Sequence, residues 1–468
     1  MISFFPKHIA TKAFTMYAVA LMAVTVAFAR YSMQIEFILL GVIEVAAFFF
    51  LSSRYTQEWQ VLPEKAFVKK LFWIAFGFRT AWVIFSYFFY KWQTGVPFEF
   101  SAADAMAYHG DAEWLAGEPL STMVNYLFTS RPGYYSDSGY LVYLTLLYKI
   151  VGTGIIPARI AKSAISAFTC VLIYRLATRT FNEKVGRMAG IFSLLMPNLI
   201  IYCGLHLKET EMLFLVVAFL ERADYLLRSK KYNVMTIAVP ILLAASLFLF
   251  RTVLGVVTFF SLVTALVFYT SKVVGKAKRA MLIGWTALAI AIFAGGTIIN
   301  EVEQLWAGRG ENQSAKREAQ TLHGNQWAKY ATGTVMAPMM FVLPFPTMVD
   351  VAEQHNQEVM HGGNFVRNFF GIFVIIAIYT AFFVKKNWRN LTLIGAYVVG
   401  YLVVISMSGF ANSERFLLPG LPVLLILAAY GISELNAKTY KWVNAWYYVV
   451  VVMAVAWAFF KVGSRGMF

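Results

Sequence analysis

The chain has 468 residues, of which 59% are hydrophobic, 17% aromatic and only 14% charged, with a mean hydropathy of +0.63. These values exclude a soluble globular domain and indicate a polytopic, all-α membrane protein. A net charge of +16 would suggest nucleic acid in a soluble protein, but here the basic residues fall in short loops between apolar runs, so no nucleic-acid partner is expected.

Apolar windows of about 17 to 22 residues predict spans at 13–29, 34–52, 71–90, 156–175, 188–205, 210–227, 233–249, 253–270, 281–299, 369–384, 391–409, 416–433 and 443–460, thirteen in all. The first follows Lys7 and Lys12 and ends Ala27-Phe28-Ala29, a possible signal-peptidase site. A retained span is the expectation, since so many spans follow it. Cys170 and Cys203 both fall inside spans, which argues against a disulfide framework or a thiolate metal site.

A cytoplasmic N-terminus gathers Arg54, Lys65, Lys69, Lys70, Arg175, Arg179, Lys184, Arg187, Arg228, Lys230, Lys231, Lys272, Lys276, Lys278, Arg279, Lys385, Lys386 and Arg389 on one side. Residues 91–155 and 300–368 then form two large extracytoplasmic loops that hold most of the acidic residues. Gly139 to Val151 is too short to cross, and is expected as a helix in the outer interface. Thr334 to Val349 carries Pro338, Pro344 and Pro346, and is expected as a re-entrant or surface segment. Without repeats or linkers, residues 1–468 read as a single membrane domain.

The first outer loop carries the most informative segment, Phe100 to Leu115. If Ser101 caps a helix, then Asp104, Tyr108 and Asp111 fall at i, i+4 and i+7 and share one face, a base beside an aromatic wall. The plainer reading makes Ser101-x-x-Asp104 a capping box and nothing more. In the membrane, Glu44 and Arg79 each lie roughly 12 Å from the inner ends of their spans at helical rise, and a structural ion pair between them is expected. Lys208, Glu209, Glu211, Arg251 and Arg415 instead sit at the outer ends of spans, at the depth of a lipid headgroup. His355, Glu358 and His361 are spaced to gather metal ligands on a helix, but with Asn and Gln between them a solvated loop face is the expectation. No metal or other cofactor is therefore assigned, and a divalent ion is left without support.

Four features in this order, Asp104-x-x-x-Tyr108, Arg131-Pro132-Gly133-Tyr134, Leu207-Lys208-Glu209 and Arg415-Phe-Leu-Leu-Pro419-x-x-Pro422, resemble integral-membrane glycosyltransferases of the GT-C superfamily. The pattern looks most like the bacterial branch related to protein O-mannosyltransferases and lipid A aminoarabinose transferases. It covers roughly residues 71 to 434 and leaves residues 1–55 as an added N-terminal hairpin. The chain departs from that branch where Ala105 follows Asp104 and Gly133 follows Pro132, which bears on the acceptor more than on the fold.

The resemblance implies a GT-C-like fold with extracytoplasmic juxtamembrane helices, in a bacterial inner membrane. The implied activity is inverting sugar transfer from a polyprenyl-phosphate donor to a lipid, protein or glycan on the outer face. On that reading Asp104 takes the acceptor proton, and Lys208, Arg251 and Arg415, with Arg131 behind them, meet the leaving phosphate. Glu209 orients Lys208 or contacts the acceptor, while Tyr108, Asp111 and Tyr134 line the substrate. No Rossmann or P-loop fingerprint offers a nucleotide-sugar site. A lipid-linked oligosaccharide flippase would instead show paired half-repeats, and an O-antigen polymerase or ligase would share the donor but not so early an acidic loop.

Overall fold

The computed structural model describes residues 2–126, 136–229, 233–268, 284, 345–351, 354–408 and 414–463. Among them the chain is helical and has no strands. In chain order the helices are α1 (Lys7–Ala27), α2 (Ile35–Glu58), α3 (Glu64–Thr94), α4 (Ala103–Gly117), α5 (Leu120–Asn125), α6 (Ser138–Val151), α7 (Ile155–Thr180), α8 (Glu183–Leu195) and α9 (Pro197–Ile201). They continue as α10 (Glu209–Arg228), α11 (Val234–Phe250), α12 (Thr252–Phe268), α13 (His355–Val359), α14 (His361–Tyr379), α15 (Thr392–Ser408), α16 (Glu414–Leu417), α17 (Leu421–Ser433) and α18 (Ala437–Gly463).

Eight described helical stretches are long and apolar enough to cross a membrane, or nine if the pair α8 and α9, bent by 54°, is one broken span. This is an integral membrane protein. The expected thirteen is not reached among the described residues, where α11 and α12 have 17 residues each and α10 carries Glu209, Glu211, Glu221, Arg222, Asp224 and Arg228 on 20 residues. The window at 281–299 lies outside the described residues, as do Arg131, Tyr134, Lys230, Lys231, Lys272, Lys276, Lys278, Arg279 and most of the second outer loop. Of Thr334 to Val349 only the last few residues are described, and they are not helical. Between Gly139 and Val151 the expected short helix is present as α6, which is 14 residues long.

The bend between α8 and α9 explains Arg79. Pro197 has no N–H to give to the carbonyl of Ser193, so the helix breaks there and leaves buried acceptors behind. Arg79 Nη2 donates to Ser193 O at 3.0 Å, and Nη1 to Leu194 O at 3.1 Å and Ala75 O at 3.2 Å. Nε reaches Ser166 Oγ at 2.7 Å, and Nη2 also meets Cys170 Sγ at 3.3 Å. The expected pair with Glu44 is therefore not formed. Glu44 Oε2 instead accepts the Gly363 N–H at 2.9 Å, near the first turn of α14.

That contact depends on two glycines. A Cβ at Gly41 would stand 2.1 Å from the His361 ring, and one at Gly362 would stand 2.8 Å from the Gly41 carbonyl. Small residues let α2 and α14 approach backbone to backbone, which is how membrane helices gain packing without a water-driven hydrophobic effect. The hairpin of α1 and α2 thereby joins the common core, where Phe5, Phe48, Phe49, Phe192, Phe370 and Phe373 pack ring against ring.

The polar contacts sort by end. At one end the Ile2 N–H meets Ser433 O, Arg187 donates to Trp59 O and Leu62 O, Arg179 pairs with Glu221, and Lys385 pairs with Glu434. At the other the loops after α3 and α9, the turn between α11 and α12, and the start of α16 come together around Asp104 and Glu209.

Candidate functional site

Asp104 lies in the first turn of α4, but Ser101 does not cap that helix. The N-cap position is Ala102, which makes no side-chain bond, and Ser101 has φ of 52° in a turn before it. Asp104 is thus left for contacts outside its own helix. Two hydrogen bonds hold α4 in place: His109 Nδ1 meets Tyr148 OH on α6 at 2.7 Å, and the same hydroxyl meets His206 Nε2 at 3.1 Å. Burial, helped by the positive charges of Lys162 and Arg159, holds His206 well below the ordinary histidine range, so this link is between neutral rings.

The centre of the cluster is Arg415, the second residue of α16. Its Nη1 donates to Asp104 Oδ2 at 2.5 Å, and its Nε donates to Glu209 Oε1. Arg251 Nη2 stands 3.6 Å from the same Glu209 oxygen, and its guanidinium lies 4.4 Å over the Phe416 ring. One guanidinium therefore bridges two carboxylates of different exposure, since Glu209 is 0% exposed on its side chain and Asp104 is 60% exposed. Glu209 Oε2 has no hydrogen-bond partner among the described residues. The arrangement anchors a cation pair on a buried carboxylate and leaves one accessible carboxylate at its edge.

Tyr108 stands one helical turn beyond Asp104, edge-on to Tyr140 with centroids 5.0 Å apart. Its phenol is pushed up to about 12 by burial, with Arg415 opposing and Glu209 and Asp104 adding to the rise, so it remains a neutral donor. Asp104 and Tyr108 thus share the expected face. Asp111 follows along α4, half-buried.

Lys208 belongs to the same end of the molecule and has partners of its own there. Its Nζ pairs with Asp137 and donates to Phe250 O at 2.6 Å, while the Asp137 N–H donates to Leu249 O at 3.0 Å. Lys208 thereby ties the loop before α10 to the ends of α6 and α11. Lys162 does related work from α7, donating to Leu205 O at 2.9 Å and to Leu207 O, with Glu211 3.7 Å away. Sequence reasoning missed Asp137 and Lys162. Lys162 carried a readable signal, an ionisable residue inside a window otherwise apolar enough to span, whereas Asp137 carried none.

The metal-spaced trio is also rearranged. Met360 separates α13 from α14, so His361 turns into the core, its Nε2 2.8 Å from Tyr17 OH and its Nδ1 2.6 Å from Glu358 O. Glu358 and His361 are both buried, which corrects the expectation of a solvated face.

No family model matches this chain, and no curated protein matches it. Among solved structures it is similar to the oligosaccharyltransferase of Archaeoglobus fulgidus. A form tethered to an acceptor peptide gives 12% identity over 86% of this chain and 55% of that one, with a TM-score of 0.45. The apo form gives 11% identity over 86% and 55%, TM-score 0.45. The archaeal oligosaccharyltransferase AglB in complex with an inhibitory peptide and a dolichol-phosphate gives 10% identity over 88% and 56%, TM-score 0.43. This chain therefore spans little more than half the length of those structures.

Proposed function

We propose that the protein is a membrane glycosyltransferase of the GT-C type, which moves a sugar from a polyprenyl-phosphate donor to a hydroxyl-bearing lipid, protein or glycan acceptor at the extracytoplasmic face. The observation that carries this reading is the Arg415 bridge between exposed Asp104 and buried Glu209, with Arg251 on the same Glu209 oxygen. It supplies the two things the reaction needs at one depth: an accessible carboxylate, and guanidinium groups for a phosphate.

In the proposed step the acceptor oxygen attacks the anomeric carbon and its proton passes to Asp104. The bond from that carbon to the phosphate oxygen breaks, and the electron pair leaves with the lipid phosphate. No proton donor is needed for this leaving group, because the new charge rests on oxygens that Arg251 and Arg415 can meet. An arriving phosphate competes with Asp104 for Arg415, and loosening that bridge frees the carboxylate to face the acceptor hydroxyl. Glu209 is then a positioning residue, since its charge keeps both guanidinium groups in place. The polyprenyl tail remains in the bilayer beside the aromatic-rich helices.

The test is transfer by the purified full chain in lipid nanodiscs, supplied with a radiolabelled polyprenyl-phosphate sugar and a lipid or peptide acceptor. Arg251→Ala is expected to raise the donor KM about tenfold, the loss of one charge-assisted contact, while Arg251→Lys recovers part of it. Unchanged donor KM and turnover in Arg251→Ala, at normal protein level, would remove the cluster from donor binding. A sealed-vesicle assay in which the intact donor crosses the membrane without transfer would favour a flippase instead.

A further inference from the structure

We propose that Asp350, His355 and Glu358 form a binding site for a divalent transition-metal ion of the zinc class, separate from the Arg415 cluster and independent of the proposed activity. One ligand atom from each residue lies within 4.8 Å of the others. His355 Nδ1 is 3.4 Å from Glu358 Oε1 and 4.0 Å from Asp350 Oδ1. Ligands bound at about 2.1 Å around one tetrahedral ion stand about 3.4 Å apart, so small side-chain rotations bring the three onto one centre.

Glu358 supplies the second, independent observation. Its side chain is 0% exposed, yet Oε2 has no hydrogen-bond partner among the described residues, while Oε1 accepts the Val351 N–H at 3.1 Å. A buried carboxylate beside a second carboxylate is expensive without a counter-charge. A bound ion would supply that counter-charge. Asp350 and His355 are partly exposed, at 38% and 29% of their side chains, which leaves a route in from solvent and room for a water on the fourth position.

The ring of His355 is already oriented. It stacks on Phe37 at 5.9 Å and leans on Phe100 at 5.1 Å, while the next residue, Asn356, donates from Nδ2 to Phe100 O at 2.6 Å. The Asp350 N–H donates to Tyr31 O at 2.8 Å. An ion held by the trio would thus fasten α13 and the stretch at 345–351 to the turn after α1 and to the loop before α4. One imidazole with two carboxylates suits zinc and its neighbours, whereas magnesium and calcium prefer oxygen alone.

To test this, the full chain in nanodiscs is stripped with EDTA, dialysed against Zn²⁺ or Mg²⁺ and freed of excess, and its bound metal is counted by elemental mass spectrometry alongside thermal unfolding. The wild type is expected to keep about one zinc per chain and no magnesium, with a higher melting temperature when loaded. His355→Ala and Asp350→Asn should each lose the zinc and the thermal shift, while the exposed-histidine control His8→Ala should keep both. If His355→Ala fails to fold because its ring packs on Phe37 and Phe100, the isosteric Asp350→Asn carries the test alone. A wild type without zinc would overturn the site. Asp350→Asn that holds as much as wild type, or an equal loss in His8→Ala, would mean an adventitious ion only and would overturn it too.

Discussion

Arg79 in α3 and Arg415 in α16 are both largely removed from solvent, yet they are bonded in opposite ways. Every partner of Arg79 among the described residues is neutral: three backbone carbonyls, two of them at the break between α8 and α9, a hydroxyl and a thiol. Arg415 faces two carboxylates, one buried and one exposed, and shares the buried one with Arg251. A cation ringed by neutral acceptors repairs the backbone, whereas cations gathered on a carboxylate at a helix end keep a charged surface available for an anion. Depth in the fold does not separate the two roles. The chemistry of the partners does.

Substitutions that treat the two arginines alike are the way to break this distinction. Arg79→Ala should cost about 3 kcal/mol or more of stability, because the carbonyls of Ser193 and Leu194 lose their donor in a place water does not reach. Thermal unfolding in detergent measures it, and whatever protein remains folded should transfer sugar at the wild-type rate. Arg415→Ala should also destabilise, by roughly 3 kcal/mol, since Glu209 is left with less compensation. The comparison sharpens here: adding Glu209→Gln to Arg415→Ala should restore much of the melting temperature while leaving transfer lost. If the double variant regained activity, the bridge would be structural, like Arg79.

The smallest effect is expected at Glu44. Its observed partner is the Gly363 N–H rather than Arg79, so Glu44→Gln keeps a carbonyl acceptor of the same shape and should change stability by less than about 1.5 kcal/mol. A loss as large as that of Arg79→Ala would restore the ion pair that the structure does not contain.

What could be read from the sequence followed from periods and signs of charge. The runs that became α1, α2, α3, α7, α14, α17 and α18 stood out as apolar windows, and the short α6 was set apart by its length. Charges in those windows were legible as unusual but not as to their partners. Glu44 and Arg79 share a depth, and depth alone suggested a pair. Pro197 frees a carbonyl that Arg79 then takes, and only the fold brings α3 to that bend. Glu209, Arg251 and Arg415 are grouped in the sequence by their place at the outer ends of spans and Asp104 by its place in the first outer loop, and the structure brings them together, with Arg415 meeting Asp104 across more than three hundred residues of chain. Lys208 was grouped with them by the same logic, but Asp137, whose backbone sits at φ 92° beside the α6 start, takes up its charge. Asp350 entered no motif, since two carboxylates and an imidazole separated by turns of unpredictable shape have no period to reveal them.

The central claim is that Asp104 is an accessible base set beside a phosphate-binding cation cluster, and Asp104→Asn tests it most directly. Asparagine keeps the size and a hydrogen-bond acceptor toward Arg415 but cannot take the proton. Transfer from a polyprenyl-phosphate sugar by the purified variant should fall by about two orders of magnitude or more, with the donor KM and melting temperature close to wild type. Near-normal transfer by Asp104→Asn would contradict the account.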